Sequence, residues 1–421
     1  MGTRKFAQAA KTFNYSHMDF FRELHHDAKL LMASRGIRAF AFSYLNVVFA
    51  IYLDRLGYST VTVGVIFSVA YISSALLTAV WGYLSDRIGR RKILMLLALL
   101  TIVSNVILIY FTSLVFILAA VIIANVGAGG SGGGGSGGGP FNPVEEALLA
   151  EKCQPENRNQ IFAVNSCVGS IMGALGALAS GLPQFLQEER GWGAAESYKP
   201  LFFLTILFSV VLLFVYRMIG EQHQPRQVEK KISKSTGVFV TKMSVLGMVD
   251  NFGAGMAGSL ISYWFFLRFG VELKSLGVIF FTSYILAALS FLSALGIVRT
   301  MAFSHGLASI IFLFLPLVPT LALAAALLII RSFFAYMDNP LRASFTMAMV
   351  QSSERGSAAG VTNLARVVPF GISPTISTYL MQSVSLTLPI LIGGGLQLIN
   401  DVAFFLMFRN VRPPEEMGSK G

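Results

Sequence analysis

Gly82-Tyr83-Leu84-Ser85-Asp86-Arg87-Ile88-Gly89-Arg90-Arg91-Lys92 decides how this chain is read. The stretch joins two apolar runs, Val61 to Tyr83 and Ile93 to Phe111. Each run is long enough to cross a hydrocarbon core about 30 Å thick. The stretch itself is too short to be a domain and too charged to lie in lipid. It reads as a tight, positively charged turn on one membrane face.

Composition agrees. The chain has 421 residues, of which 54% are hydrophobic and 13% charged. A soluble domain carries about 25% charged residues. Apolar runs recur along the whole length and are continuous rather than alternating. Buried backbone groups in lipid must bond within the span, so the runs read as helices of an all-α, polytopic membrane protein. Arg35 and Arg38 flank the first run without a small-residue cleavage site after it, so no signal peptide is expected. The net charge of +11 lies between spans on one side, which argues for positive-inside topology and against nucleic acid. Cys153 and Cys167 do not form a disulfide or zinc pattern. No cofactor is expected. None of the five histidines falls in an expected span, which argues against a buried metal or a histidine proton relay.

In chain order, residues 1–35 form a polar, basic, cytoplasmic segment. Met18, Phe20, Phe21, Leu24, Ala28 and Leu31 fall near helical spacing, as in a short helix on the membrane surface. Twelve spans follow. They are Gly36 to Leu53, Val61 to Tyr83, Ile93 to Phe111, a fourth from Leu114, Ile161 to Leu186, and Leu201 to Tyr216. A basic linker over 217–242 separates these from a seventh span ending at Leu267. The rest are Ser275 to Val298, Gly306 to Val318, Leu321 to Val350, Ala358 to Met381 and Leu388 to Phe408. The units are thus 36–216 and 243–408, with a cytoplasmic tail at 409–421. The fourth span runs into Gly127 to Gly139 and ends through Pro140-Phe141-Asn142-Pro143-Val144-Glu145-Glu146. Glycine costs about 1 kcal/mol per helical position relative to alanine. The tract is either a loosened natural segment or an inserted flexible linker.

The chain repeats itself. Arg55-Leu56-Gly57 is followed by Gly64-Val65-Ile66-Phe67, and Arg268-Phe269-Gly270 by Gly277-Val278-Ile279-Phe280 at the same spacing. Asn142-Pro143 precedes Arg158, and Asn339-Pro340 precedes Arg355, also at one spacing. Duplication explains this better than chance.

The G-x-L-S-D-R-x-G-R-R-K pattern resembles the loop between helices 2 and 3 of the major facilitator superfamily of transporters. That resemblance implies twelve helices in two pseudo-symmetric six-helix bundles related as parallel repeats. It also implies that helices 1, 4, 7 and 10 line a central cavity. For the loop it implies a gate role, carried by Gly82, Asp86, Arg87, Gly89, Arg90 and Arg91. Their contacts exist in only one orientation of the halves and so bias a two-state equilibrium. The plainer reading of the loop is topology anchoring by positive charge. Gly169, Gly173, Gly176 and Gly181 loosely resemble the glycine-rich helix 5 of superfamily antiporters, with Ala174 where their proline stands.

Charges inside spans are expensive and point to function. Most fall on the same four helices. Helix 1 carries Arg38, and helix 4 carries Glu145 and Glu146. Helix 7 carries Asp250, and helix 10 carries Arg331, Asp338 and Arg342. The exceptions are Arg366 and Asp401. Arg331, Asp338 and Arg342 fall within about 40° on helix 10, and Asp338 with Arg342 is an i,i+4 pair. They read as a substrate or gating stripe, or as a structural ion pair. Asp250 has no basic neighbour within one turn in sequence. It is expected to carry the proton, with Asp338 in a charge-paired gate, unless helix 7 starts late and water reaches it. Arg38, Asn142, Glu145, Asn251, Arg331 and Arg342 are the expected cavity residues. For Glu145 the alternative is solvation, and for Arg38 it is snorkelling to the interface.

The sequence therefore reads as a proton-coupled secondary transporter, monomeric in a plasma-membrane bilayer with both termini cytoplasmic. A small organic solute is its substrate, with export ahead of import. Anion uptake with protons is the alternative, and a non-transporting receptor is the alternative of another class. A membrane enzyme is the weakest option.

Overall fold

A single glycine separates the second helix from the third. In this computed structural model α2 (Thr60–Ile88) runs to Ile88 and α3 (Arg90–Tyr110) begins at Arg90. Gly89 between them takes φ 112° and ψ 136°, a conformation that a Cβ disfavours. The turn expected over 82–92 is therefore much tighter. Gly82 lies within α2, and a Cβ there would meet nothing within 4 Å. Gly89, not Gly82, makes the turn. Ser59 starts α2 by accepting from the Thr62 amide.

The structure describes residues 24–124, 126, 139–153, 158–220, 233–290, 298–350 and 355–408. Side chains at 158–159, 234–235, 257, 298–302, 336–349, 355–360 and 363 lie outside the description. Helices follow the expected spans one for one. They are α1 (His26–Arg55), α4a (Leu114–Ala124), α4b (Phe141–Glu151), α5a (Arg158–Leu178), α5b (Leu182–Arg190) and α6 (Lys199–Met218). After the linker come α7a (Lys234–Ala257), α7b (Ile261–Phe269), α8 (Leu273–Ser290) and α9 (Val298–Phe314). The last are α10 (Leu321–Met349), α11 (Arg355–Ser383) and α12 (Leu388–Phe408). Among the described residues no strand occurs, and seven helices are long and apolar enough to cross a bilayer.

Several boundaries differ from expectation. Residues 26–35 are not a separate surface helix but the first turns of α1. Nothing in that stretch breaks a helix, and Ala28, Leu31 and Met32 bury against Ile93, Leu148 and Tyr216. Helix α7a begins at Lys234, inside the expected linker. Pro140 to Glu146 opens a helix rather than ending one, with Pro140 as its cap. Helix α9 begins at Val298, two turns before Gly306. The glycine tract up to residue 138 lies outside the described residues.

The repeat has a physical meaning at its glycines. Gly57 and Gly270 end α1 and α7b at positive φ, 88° and 60°. Gly64 and Gly277 sit where each half touches the other. A Cβ on Gly64 of α2 would overlap Thr378 Oγ1 and stand 2.7 Å from the Pro374 carbonyl of α11. A Cβ on Gly277 of α8 would stand 2.8 Å from Ser180 Oγ and 2.9 Å from the Ala177 carbonyl. Duplicated glycines thus allow two pseudo-equivalent close crossings, α2 on α11 and α8 on the end of α5a. In α5a itself, a Cβ on Gly176 would overlap the Phe40 carbonyl of α1. The glycine-rich helix 5 is a packing surface here.

Contacts between the halves gather at the end away from the basic turn. Tyr263 donates to Asp54 at 2.7 Å, and the Val61 amide donates to Gln382 at 3.1 Å. Gln184 donates to Glu272 at 2.9 Å. Nearer the middle, Tyr71 meets Phe370 edge-on at 4.8 Å and Thr375 bonds Ser68 at 2.7 Å. One large apolar core draws Phe67, Tyr71, Trp264, Phe280 and Phe370 from both halves. Toward the basic end the apolar clusters are separate. Among the described residues, one holds Leu31, Leu94, Leu148 and Tyr216, and another Val240 and Val350.

Candidate functional site

Buried charge lies in each half. In the N-terminal half, α1 brings Ser34, Arg35 and Arg38 onto α4b. The Arg38 guanidinium pairs with Glu145 and donates to Asn142 at 2.9 Å. Arg35 also donates to Asn142, and Ser34 and the Tyr216 hydroxyl of α6 donate to Glu145. Phe141 lies under the Arg38 guanidinium at 5.0 Å. Arg38 is 0% exposed and Glu145 4%. Neither snorkelling nor solvation describes them, because α6 closes over the pair. Glu146, half-buried, lies within electrostatic reach of Arg35 and Arg38. Two guanidiniums thus face one fully buried carboxylate and one half-buried one.

In the C-terminal half, α7a, α9 and α12 converge. Asp250 and Asp401 are each 5% exposed. Between them stands His305. Its Nδ1 lies 2.7 Å from Asp401 and its Nε2 lies 3.8 Å from Asp250. Ser309, one turn on from His305, donates to the second Asp401 oxygen at 2.6 Å. Two expectations are corrected here. A histidine does lie inside a helix of the bundle, because α9 starts two turns earlier than its apolar run. And Asp250 does face a basic partner, brought from α9 rather than from its own helix. Sequence offered a signal for this: His305–Ser309 and Gln397–Asp401 are both i,i+4 polar pairs.

Arg331 of α10 lies over the Phe312 ring of α9 at 4.1 Å and reaches Gln397 of α12 at 3.5 Å. Asn251 donates to the Gly247 carbonyl within its own helix at 2.9 Å. The Asp338 and Arg342 side chains lie outside the described residues, although α10 carries both positions. The structure brings Arg38, Asn142 and Glu145 into one cluster. It puts Asp250 beside His305 of α9, and Arg331 on Phe312 of α9 and Gln397 of α12. Sequence reasoning missed Arg35, Tyr216, His305 and Ser309 as cluster members.

At the basic end, Asp86 pairs with Arg90 at 3.1 Å, and Arg90 also pairs with Glu151 of α4b. Arg90 donates to the Ala147 carbonyl at 3.2 Å, and Arg91 to the Ile219 carbonyl at 3.3 Å. Arg87 stacks on Tyr83 at 4.5 Å. Lys152 meets Asp27 at 2.7 Å. Every one of these partners belongs to the N-terminal half.

Two repeated helical halves, sealed to each other at one end and carrying charge in their interiors, define a polytopic membrane protein of the transporter type. The Major Facilitator Superfamily model matches residues 31–374, and the chain belongs to that family. Among relatives, it is 22% identical to the Saccharomyces cerevisiae "Uncharacterized membrane protein YJR124C", over 93% of this chain and 96% of that one. It is 28% identical to the Escherichia coli "Multidrug resistance protein MdtG", over 45% of this chain and 43% of that one. The inward open conformation of the xylose transporter XylE from E. coli superposes with TM-score 0.70 at 14% identity. That match covers 92% of this chain and 96% of that one.

Proposed function

We propose that this chain is a proton-coupled secondary transporter that exports a small organic solute by alternating access. The carrying observation is Asp250, a carboxylate 5% exposed in the interior of the bundle. A charge held there is costly and is retained where it moves ions or substrate. Export draws support from the similarity to a multidrug resistance protein over part of the chain. The distribution of contacts between the halves supports a state open at the basic end. Positive-inside bias assigns that end, and both termini, to the cytoplasm of a plasma-membrane protein. In the other state Asp86, Arg90 and Arg91 exchange their partners within the half for partners across it. Uptake of an anion with protons is the second reading, favoured by the two buried guanidiniums, Arg35 and Arg38, that converge on the Asn142 side chain.

The test is proton flux in proteoliposomes loaded with a pH-sensitive dye. Lipophilic cations, sugars and organic anions are added in turn, to wild type and to Asp250→Asn. Wild type is expected to show flux with one solute class, and Asp250→Asn to fall to the level of protein-free liposomes. Flux that persists in the variant contradicts Asp250 as carrier. Binding without flux for any solute supports a receptor.

A further inference from the structure

We propose that Gln184 and Gln382 are two repeat-related clasps that hold the outer end shut, the end away from the basic turn, each by capping the first turn of a helix in the other half. The inference rests on the alternating-access reading. It starts from orphan amides, because the first N–H groups of an α-helix have no partner within the helix. At the start of α2 the Ser59 hydroxyl takes the Thr62 amide, and the Ser59 carbonyl takes Val63 and begins the helical ladder. The Val61 amide donates instead to Gln382 Oε1, at the end of α11, at 3.1 Å. At the start of α8 the Glu272 carbonyl takes the Leu276 amide and begins that ladder. The Lys274 amide donates to Gln184 Oε1, in the first turn of α5b, at 3.0 Å.

The two contacts are one feature used twice. Val61 and Lys274 each stand three residues before a repeated glycine, Gly64 and Gly277. Gln184 lies 42 residues after Asn142, and Gln382 lies 43 after Asn339. Close crossings bring both glutamines within reach. A Cβ on Gly181, one turn before Gln184, would stand 3.2 Å from Lys274 Cα. Thr378, one turn before Gln382, packs on Gly64.

Each clasp joins one half to the other, so neither survives when the outer end opens, and water then takes the two amides. Exchange of a neutral hydrogen bond for water shifts an equilibrium about fivefold. Two such contacts hold the end without locking it.

The surroundings of the two glutamines differ. Gln382 is exposed and bonds Val61 alone among the described residues. Gln184 is half-buried, and its Nε2 also donates to Glu272 of α8 at 2.9 Å and to Glu188 of its own helix at 2.7 Å. One substitution therefore has opposite effects at the two positions. Gln382→Glu places a carboxylate at the N-terminus of α2, where the helix dipole and the Val61 amide favour it. Gln184→Glu places an oxygen between two carboxylates, in place of the amide that bridges them.

The test uses full-length protein in liposomes and two readouts. One is hydrogen exchange at the Val61 and Lys274 amides. The other is the distance between spin labels at Val115 and Leu317, exposed residues of opposite halves at the outer end. Gln382→Ala is expected to speed exchange at Val61 about fivefold and to raise the population with a long outer distance by a similar factor. Gln184→Ala is expected to do the same at Lys274 with a larger factor, because it also loses the bond to Glu272. Gln382→Glu is expected to slow exchange at Val61, and Gln184→Glu to speed it at Lys274. Unchanged exchange in the two alanine variants overturns the clasps, as does one sign of effect for both glutamate variants. Faster exchange with an outer distance that stays as in wild type also overturns them, because the glutamines are then caps that do not hold the end. If the wild-type distance still shifts under a pH gradient, those outcomes leave alternating access standing. A wild-type outer distance that never changes, with or without a gradient, removes alternating access itself and the clasps as its gate.

Discussion

Glu145→Ala is expected to destabilise the N-terminal half by about 3–5 kcal/mol, the cost of leaving a buried charge without its counter-ion. Arg38 is 0% exposed, and α6 closes over it through Tyr216. Arg35 shares Asn142 with it, so the deletion takes the fully buried carboxylate from a site that holds two guanidiniums. The loss reads out as a lower apparent melting temperature in detergent at a fixed scan rate. A buried ion pair is often no better than apolar residues of similar volume. Arg38→Met combined with Glu145→Leu is therefore expected to recover much of the loss. A double variant as unstable as the sum of its singles would show that the two charges act independently. Full stability in Glu145→Ala would show that the pair does not bear on folding.

The second large effect is at the crossings between the halves. Gly→Ala inside a helix ordinarily stabilises by about 1 kcal/mol. Gly64→Ala is expected to have the opposite sign, because the added methyl overlaps Thr378 and stands 2.7 Å from the backbone carbonyl of Pro374. Forcing such a contact costs about 1–3 kcal/mol. Here it also wedges α2 from α11, so the sealed end is expected to open and transport to fail. Gly395→Ala is the control: nothing lies within 4 Å of its Cβ position, and it is expected to be neutral or mildly stabilising. Equal effects of Gly64→Ala and Gly395→Ala on melting temperature would refute close packing as the reason for the repeated glycine.

Much of the fold is legible in the sequence because lipid imposes one simple constraint. Continuous apolar runs of spanning length must be helices, and the basic turns between them face one side. The repeat is legible because duplicated glycines sit where duplicated helices cross. Boundaries are less legible. Hydropathy marks where a chain enters lipid, not where a helix starts, so α1, α7a and α9 each begin earlier than their apolar runs. That error hid His305. The interior pairs are legible only in part. Arg38, Glu145 and Asp250 announce themselves as charges in apolar runs. Their partners Tyr216, His305 and Asp401 come from α6, α9 and α12, and no spacing along one helix reveals a contact made by three.

The most direct test of two halves rocking about a shared site is a pair of spin-label distances in liposomes. Tyr83 and Val361 are exposed on α2 and α11 at the basic end, and Phe111 and Val384 are exposed at the opposite end. Labels at each pair, compared at about pH 5.5 and about pH 8 on either side of the imidazole midpoint, are expected to change reciprocally. One end closes as the other opens. Distances that stay fixed at both ends, or that widen and narrow together, would contradict alternating access in this protein.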